Sequence, residues 1–509
     1  MTLFTSIYSN MKKRTYFYRI IVAVGLLYGA SLCSYAQQNL TLPTAIRIAQ
    51  ERSYDAQRAR FSFLASYWTY RSFKAELLPA VNLYGGLMNF DHSIVETRNY
   101  ETGQVNYVDN NSLSNNLTFS IDQQIVATGG KVSLQSYLYR LDQFDYDLTT
   151  YNSQPLRISY TQPLRAFNSL KWEKEIAPME YEIAGRTYLT SMQQIAQTAT
   201  DHFFNALSAQ WEYKQQLATL HDRELLFKMA EQRLQLGTTT KSEVLQLELS
   251  LINARVAVSK QKLALDDRLY QLYSYLRVTD YEEVELAAPD SVPTVWVDME
   301  RVLQKSLDNS SYTLEQKQEI LQAEKVLAQA KANKGIQLSM HGEVGLTKSG
   351  HSITDAYSRL KDNEIVGLTL SLPIFDWGVS KGRVRVAKAQ LEVIRTRQEQ
   401  EYADYMQSLR KKVLEFNSQP TLCRDAERAM EISAERYDIM RRRFEAGSVS
   451  VTDLNTAQQE QESARAQYVS QIRSFWTDYY TLQRYTLYDW IAEREIELSE
   501  EQIERMIKK

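Results

Sequence analysis

Two periodicities alternate along this chain. Ile336, Leu338, Met340, Gly342, Val344 and Leu346 alternate with Gln337, Ser339, His341, Glu343, Gly345 and Thr347. Val366, Leu368, Leu370, Leu372 and Ile374 repeat the period of two, with Pro373 closing the register. Earlier, Val81, Leu83, Gly85 and Leu87 pair in pattern with Leu156, Ile158, Tyr160 and Leu164. These predict strands of about ten residues with one apolar face, a pattern shared by half-buried strands of a soluble sandwich and by strands of a membrane barrel. Elsewhere the period is helical. Leu189, Met192, Ala196, Ala199, Phe203, Ala206, Gln210, Tyr213, Leu217, Leu220, Glu224 and Phe227 step by threes and fours, and Val384, Ala387, Leu391, Ile394, Gln398, Glu401, Tyr405, Leu409, Lys412 and Phe416 do likewise. That is a coiled-coil seam with polar residues let into it, as in helices that pack on two neighbours or line water.

Element lengths follow from these runs. Residues 165–236 predict one helix of roughly 72 residues, about 108 Å long at 1.5 Å per residue. The flanking helices predicted over 40–78 and 241–280 together match its length, and 299–335, 376–446 and 451–490 repeat the scheme. Prolines 43, 79, 155, 163, 289, 293 and 373 sit at element boundaries, whereas Pro178 and Pro420 fall inside the long helices and are expected to bend or interrupt them.

The repetition is a tandem duplication. Arg233-Leu-Gln-Leu-Gly237 recurs as Arg443-Phe-Glu-Ala-Gly447, an offset of 210 that also maps Ser242 onto Thr452, Glu243 onto Asp453, Ala254 onto Ala464, Arg255 onto Arg465, Pro163 onto Pro373 and Lys171 onto Lys381. Upstream of Pro163 the offset becomes 256, so the first copy carries about 46 extra residues between 88 and 155. Leu117, Phe119 and Ile121, then Val132 and Leu134 around Gly129-Gly130, predict an additional hairpin there. The pattern leaves open whether it extends strands, lengthens a loop or adds strands. The domain reading is a signal peptide over 1–36, a first repeat over 37–280 (strands within 80–164, tip 233–243), a linker over 281–298, a second repeat over 299–490 (strands within 336–374, tip 443–453) and a tail over 491–509.

Composition narrows the class. Gly 17 and Pro 9 amount to about 5% of 509 residues, under half of average usage, which suits long uninterrupted helices. A formal charge of −3 argues against a nucleic-acid partner. Lys12, Lys13, Arg14 and Arg19 precede the apolar run from Ile20 to Ala30, and Ser34-Tyr35-Ala36 supplies small residues for cleavage after Ala36. Lipidation at Cys33 is the weaker reading, since Leu32 is large where a small residue is wanted. No constellation supports catalysis, and no cofactor or metal is expected: Cys423 reads as a small apolar filler and His202, beside Phe203 and Phe204, as a packed histidine. At the tips, Gly237 and Gly447 stand where a left-handed residue ends a helix, and Arg233 and Arg443 lie in the last turn, where cations favour the dipole. Thr240-Lys-Ser-Glu243 and Ser450-Val-Thr-Asp453 read as capping boxes.

Two copies of helix, strands, long helix, tip and return helix resemble the TolC-like outer-membrane efflux protein family, as do the Arg-x-x-x-Gly tips and Leu372-Pro-Ile-Phe-Asp-Trp-Gly378 running into Arg383-Val-Arg-Val-Ala-Lys-Ala389. The resemblance implies a mainly α fold with a β-barrel portion: a tandem-duplicated coiled-coil tunnel, with four or more barrel strands per protomer, assembled as a homotrimer. It also implies a passive conduit from the periplasm across outer-membrane lipid, serving drug efflux or type I secretion with a periplasmic adaptor and an inner-membrane pump. By the same resemblance, Arg233, Gly237, Thr238, Arg443, Gly447 and Ser448 are adaptor-docking positions. Asp453, Glu243, Phe444, Val449 and Thr456 are candidates for the periplasmic aperture. Phe444 and Val449 replace the family's gating Tyr and Arg, and Thr456 replaces a second acidic residue, so closure must use other contacts. The rival reading is an envelope coiled-coil structural or adaptor protein with a soluble β-domain.

Overall fold

The duplication reappears as matched element lengths. In a computed structural model, which describes residues 40–98, 101–278, 285–289, 292–446, 448–449 and 451–508, the first copy contains α1 (Leu42–Arg52), α2 (Tyr54–Glu76), α3 (Ser169–Gln235) and α4 (Lys241–Leu276). The second contains α5 (Met299–Asn309), α6 (Tyr312–Lys334), α8 (Val379–Glu445) and α9 (Val451–Thr486). Lengths of 11, 23, 67 and 36 residues recur in both. The predicted signal peptide, Gly447 and Ser450 lie outside the described residues.

One expectation about the helices is corrected, and two others gain detail. The first helix of each copy is divided. Ser53 adopts ψ 155 and its Oγ accepts from the Ala56 N–H; Ser310 adopts ψ 163 and its Oγ accepts from the Tyr312 N–H. A buried serine that bonds nearby backbone competes with the helical ladder, and here it wins in both copies. Pro178 and Pro420 do not interrupt their helices, each of which continues through the proline. Close packing around the first, with Ile176 and Met179 buried, offsets the lost hydrogen bond. Lastly, the residues after 490 form structure: β9 (Tyr488–Asp489) pairs with β10 (Arg494–Glu495), and α10 (Glu500–Lys508) follows, with its Met506 carbonyl accepting from Arg60 Nη2 at 2.7 Å.

The chain divides into two compact units. One takes its described residues from Met1–Gln57, Met192–Trp296 and Leu414–Leu482. It is helical, with Phe203, Phe204, Leu272, Leu276, Phe416, Phe475 and Leu482 buried. Its α3 packs against α4 through Glu212 and Gln261, and against α9 through Asp201 and Arg473. Part of the predicted linker is tied down here. β1 (Leu40–Thr41) pairs in parallel with β6 (Leu286–Ala287), and the Gln210 side-chain amide both donates to the Leu286 carbonyl (3.1 Å) and accepts from its N–H (3.0 Å). A helical side chain thus takes the place of a third strand.

The other unit takes Arg58–Ser191, Val297–Val413 and Gln483–Lys509. It holds an antiparallel sheet of β2 (Ala80–Arg98), β3 (Val105–Ile125), β4 (Gly130–Gln143), β5 (Leu148–Arg165), β7 (Gln337–Gly350) and β8 (Lys361–Ser371), in that spatial order, with the short helix α7 (Ile353–Ala356) between the last two. The extra residues of the first copy therefore add two strands, giving six where the simplest form of the resemblance implies four. Gly129, at φ +72, makes the tight turn between β3 and β4 that the Gly-Gly pair predicts. Leu372 and Ile374 fall beyond the end of β8. Between the register shifts, at the rows nearer the helices, pairing keeps the two parities apart: Leu83, Phe119, Leu134, Ile158, Val344 and Leu368 share one face, and Asn82, Ser120, Gln135, Arg157, His341 and Thr369 share the other.

Phe416 and Phe475 are fully buried, with ring centroids 5.5 Å apart, and pack α8 against α9. Phe475→Ala should cost about 3–5 kcal/mol of the helical unit's stability, read by denaturant titration of the purified chain. A cost below about 1 kcal/mol would mean that this aromatic pair is peripheral to the packing.

Candidate functional site: helix tips and a two-faced sheet

At the first tip α3 ends in a Schellman motif. Gly237 has φ +70, its N–H bonds the Leu234 carbonyl at 3.0 Å, and the Thr238 N–H bonds the Arg233 carbonyl at 2.9 Å. The second tip repeats the long bond, from the Ser448 N–H to the Arg443 carbonyl at 2.9 Å. The hydroxyls of Thr238 and Ser448 also donate to those carbonyls, at 3.1 and 3.0 Å. The Arg233 and Arg443 carbonyls are thereby each bonded twice, while the side chains of Arg233 and Arg443 remain exposed.

The predicted capping box is present at the head of α4. The Glu243 N–H donates to Thr240 Oγ1 (3.3 Å) and Glu243 Oε2 accepts from the Thr240 N–H (3.2 Å) and from the Thr239 hydroxyl. The Thr239 bond is the chief reason the Glu243 carboxyl sits below its usual range, and the Thr240 backbone adds to it. Asp453 occupies the matching first turn of α9 and is exposed. Thr456 bonds back to the Thr452 carbonyl at 3.0 Å, so its hydroxyl is engaged within its own helix. Phe444 packs with Met440 against Tyr437, Leu454 and Ala457, an apolar contact between α8 and α9. Val449 is half-buried in the bend between them.

Sequence reasoning passed over a set of polar ties between the two copies just behind the tips. The Tyr437 hydroxyl donates to Asp222 Oδ2 at 2.7 Å, Arg223 Nη2 to Asn455 Oδ1 at 2.6 Å, and Gln458 Nε2 to Thr219 Oγ1 at 2.7 Å. Burial first, then the Asp222 bond and charge, push the Tyr437 phenol well above its ordinary value, so it stays a donor at neutral pH. Gln215, Thr219 and Asp222 step by four and three, two residues after seam positions Tyr213, Leu217 and Leu220. That parallel polar stripe was the available signal. His202 packs against Tyr275 with ring centroids 5.0 Å apart, and burial pushes its pKa down, favouring the neutral ring. Cys423 is buried, and burial pushes its thiol up to about 11.

The sheet carries a second site missed in the sequence. On its polar face Asp122 accepts from Asn82 Nδ2 (3.2 Å), Ser120 Oγ (3.1 Å) and Ser133 Oγ, and pairs with Lys131 at 3.2 Å. Arg157 donates to Gln135 and lies 3.7 Å from Glu343, which also accepts from Asn363 Nδ2 at 3.2 Å. A belt of hydrogen bonds and ion pairs thus contains residues of all six strands. The opposite face is apolar and bare: Leu83, Val366 and Leu368 are 66%, 80% and 66% exposed. Among the described residues no helix is long and apolar enough to cross a membrane.

This combination is the fold of solved outer-membrane channels. The chain is similar to the Campylobacter jejuni CmeC outer membrane channel, with a TM-score of 0.62 at 14% identity over 92% of this chain and 89% of that one. It is similar also to the open state of the Neisseria gonorrhoeae MtrE outer membrane channel (0.58, 14%, 90% and 91%) and to the outer membrane protein VceC of Vibrio cholerae (0.58, 13%, 90% and 97%). Residues 302–486 match the family model described as outer membrane efflux protein. No curated protein sequence matches the chain. The resemblance drawn from the tips and strands is borne out.

A carboxylate whose pKa is lowered in the folded state contributes stability above its unfolded pKa and loses it as pH falls through the folded value. The first turn of α4 should therefore loosen on acidification below the ordinary glutamate range. Hydrogen exchange of residues 241–246 should show this loosening in the wild type, and Glu243→Gln should abolish its pH dependence.

Proposed function

We propose that the chain is the outer-membrane channel of a tripartite export system. Three copies close a barrel in outer-membrane lipid and continue as a helical tunnel in the periplasm, through which an inner-membrane pump and a periplasmic adaptor deliver drugs or secreted polypeptide. The observation that carries this reading is the division of the sheet into one exposed apolar parity and one parity bearing a belt of paired charges. Lipid satisfies the first and a wet lumen the second. A soluble β-domain would leave the apolar face against water. The protein supplies no chemistry of its own; the partners supply the energy.

The tips carry the remaining assignments. Arg233, Gly237, Thr238, Arg443, Gly447 and Ser448 are the positions on which the adaptor docks. At the aperture, three copies bring Asp453 to one narrow ring, Phe444 and Val449 shape the apolar side, and the Tyr437–Asp222 and Arg223–Asn455 ties take the place of a Tyr–Arg lock. Glu243 serves mainly as a helix cap.

Two measurements test this reading. Leu368→Arg, on the apolar parity, should lower the stability of the lipid-inserted barrel by about 2–4 kcal/mol, and its neighbour Thr369→Arg by much less. Equal tolerance in a refolding titration would remove the membrane assignment. A ring of like carboxylates favours cations, so Asp453→Asn should weaken cation selectivity and block by multivalent cations in planar bilayers. Unchanged selectivity would leave Asp453 as a cap only.

A further inference from the structure

We propose that residues 99–147 widen the membrane-spanning pore: each copy contributes six strands, so the barrel of three copies has eighteen, and its bore admits bulkier solutes than a four-strand contribution would allow. This rests on the reading of the chain as a trimeric channel and goes beyond it. First, β3 and β4 are integral to the sheet. Their apolar parity (Leu117, Phe119, Ile121; Val132, Leu134) continues that of β2 and β5 without a slip at those rows. The polar belt is stitched through them, from Asn82 of β2 to Asp122 of β3, on to Lys131 and Ser133 of β4, and from Gln135 of β4 to Arg157 of β5. A hairpin lying outside the wall would carry no such alternation.

Second, the segment is topologically neutral. β2 runs away from the helices and β5 returns toward them, so joining Arg98 to Leu148 would leave an antiparallel β2–β5 hairpin. The segment adds one strand of each direction and so preserves closure. Third, both outer edges of the sheet are open in one copy: among the described residues β2 and β8 each pair on one side only. In lipid such edges must be paired. β2 and β8 run in opposite directions and carry their apolar residues on the same face (Val81, Leu83; Val366, Leu368, Leu370), so β2 of one copy continues the meander against β8 of the next. All strands then count toward the circumference. Barrel diameter grows roughly linearly with strand number, so eighteen strands give a cylinder about half again as wide as twelve.

The test is electron cryomicroscopy of the full chain in lipid nanodiscs, beside a variant lacking residues 99–147. Eighteen strands are expected for the wild type and twelve for the deletion, with a diameter smaller by about a third. In parallel, Ser339→Cys on the polar face should react from outside with larger maleimide-polyethylene glycol probes in the full-length background than in the deletion. Twelve strands in the wild type, with 99–147 excluded from the wall, would overturn the inference while leaving the channel reading intact. Failure to find any closed barrel would overturn the channel reading itself. Should the deletion misassemble, the wild-type strand count decides alone.

Discussion

The register of the six-stranded sheet is the constraint on which the rest depends. A slip of one residue in any strand would turn its whole apolar set to the polar side. Two kinds of contact oppose such a slip. On one face, leucines and isoleucines gain only if every row stays aligned, and on the other, Asp122 and Glu343 sit among donors from neighbouring strands. The polar contacts are spaced along a belt, so a misregistered strand would leave several charged groups without partners at once. Burial of an unpaired charge costs far more than a paired one gains, which makes the belt a device for selecting one register more than for adding stability.

The helices face a different problem, since a 67-residue helix has few local reasons to stop or turn in a particular place. Here the stops are written in local chemistry. Gly237 ends α3 by adopting a conformation that other residues resist, and Thr240 with Glu243 opens α4 three residues later. Because the second copy repeats the Arg443 to Ser448 bond, the two helical hairpins reverse over the same number of residues and their return helices stay equal in length.

Much of this was legible in the sequence because it is periodic or punctuated. The period of two revealed the strands, the offset of 210 revealed the copies, and Gly129-Gly130 revealed the added hairpin. What escaped depends on partners distant in the chain. The division of each first helix is set by single serines, Ser53 and Ser310, whose bonding to nearby backbone the apolar pattern does not register. Gln210 looked like a polar intrusion in a seam, yet it completes the pairing of a two-residue strand 76 positions away. The belt residues Asp122, Arg157 and Glu343 alternate with apolar ones like any solvated positions, and only the pairing of strands brings them together. Pro178 and Pro420 show the reverse case, in which a strong local signal does not end the helix that carries it.

Cys423 has a practical corollary. Its thiol is buried and, at a pKa of about 11, almost wholly protonated at neutral pH. Thiol–disulfide exchange proceeds through the thiolate, so this side chain is shielded twice, by access and by protonation. Cys423 can therefore persist in an oxidising compartment without forming adventitious crosslinks between copies.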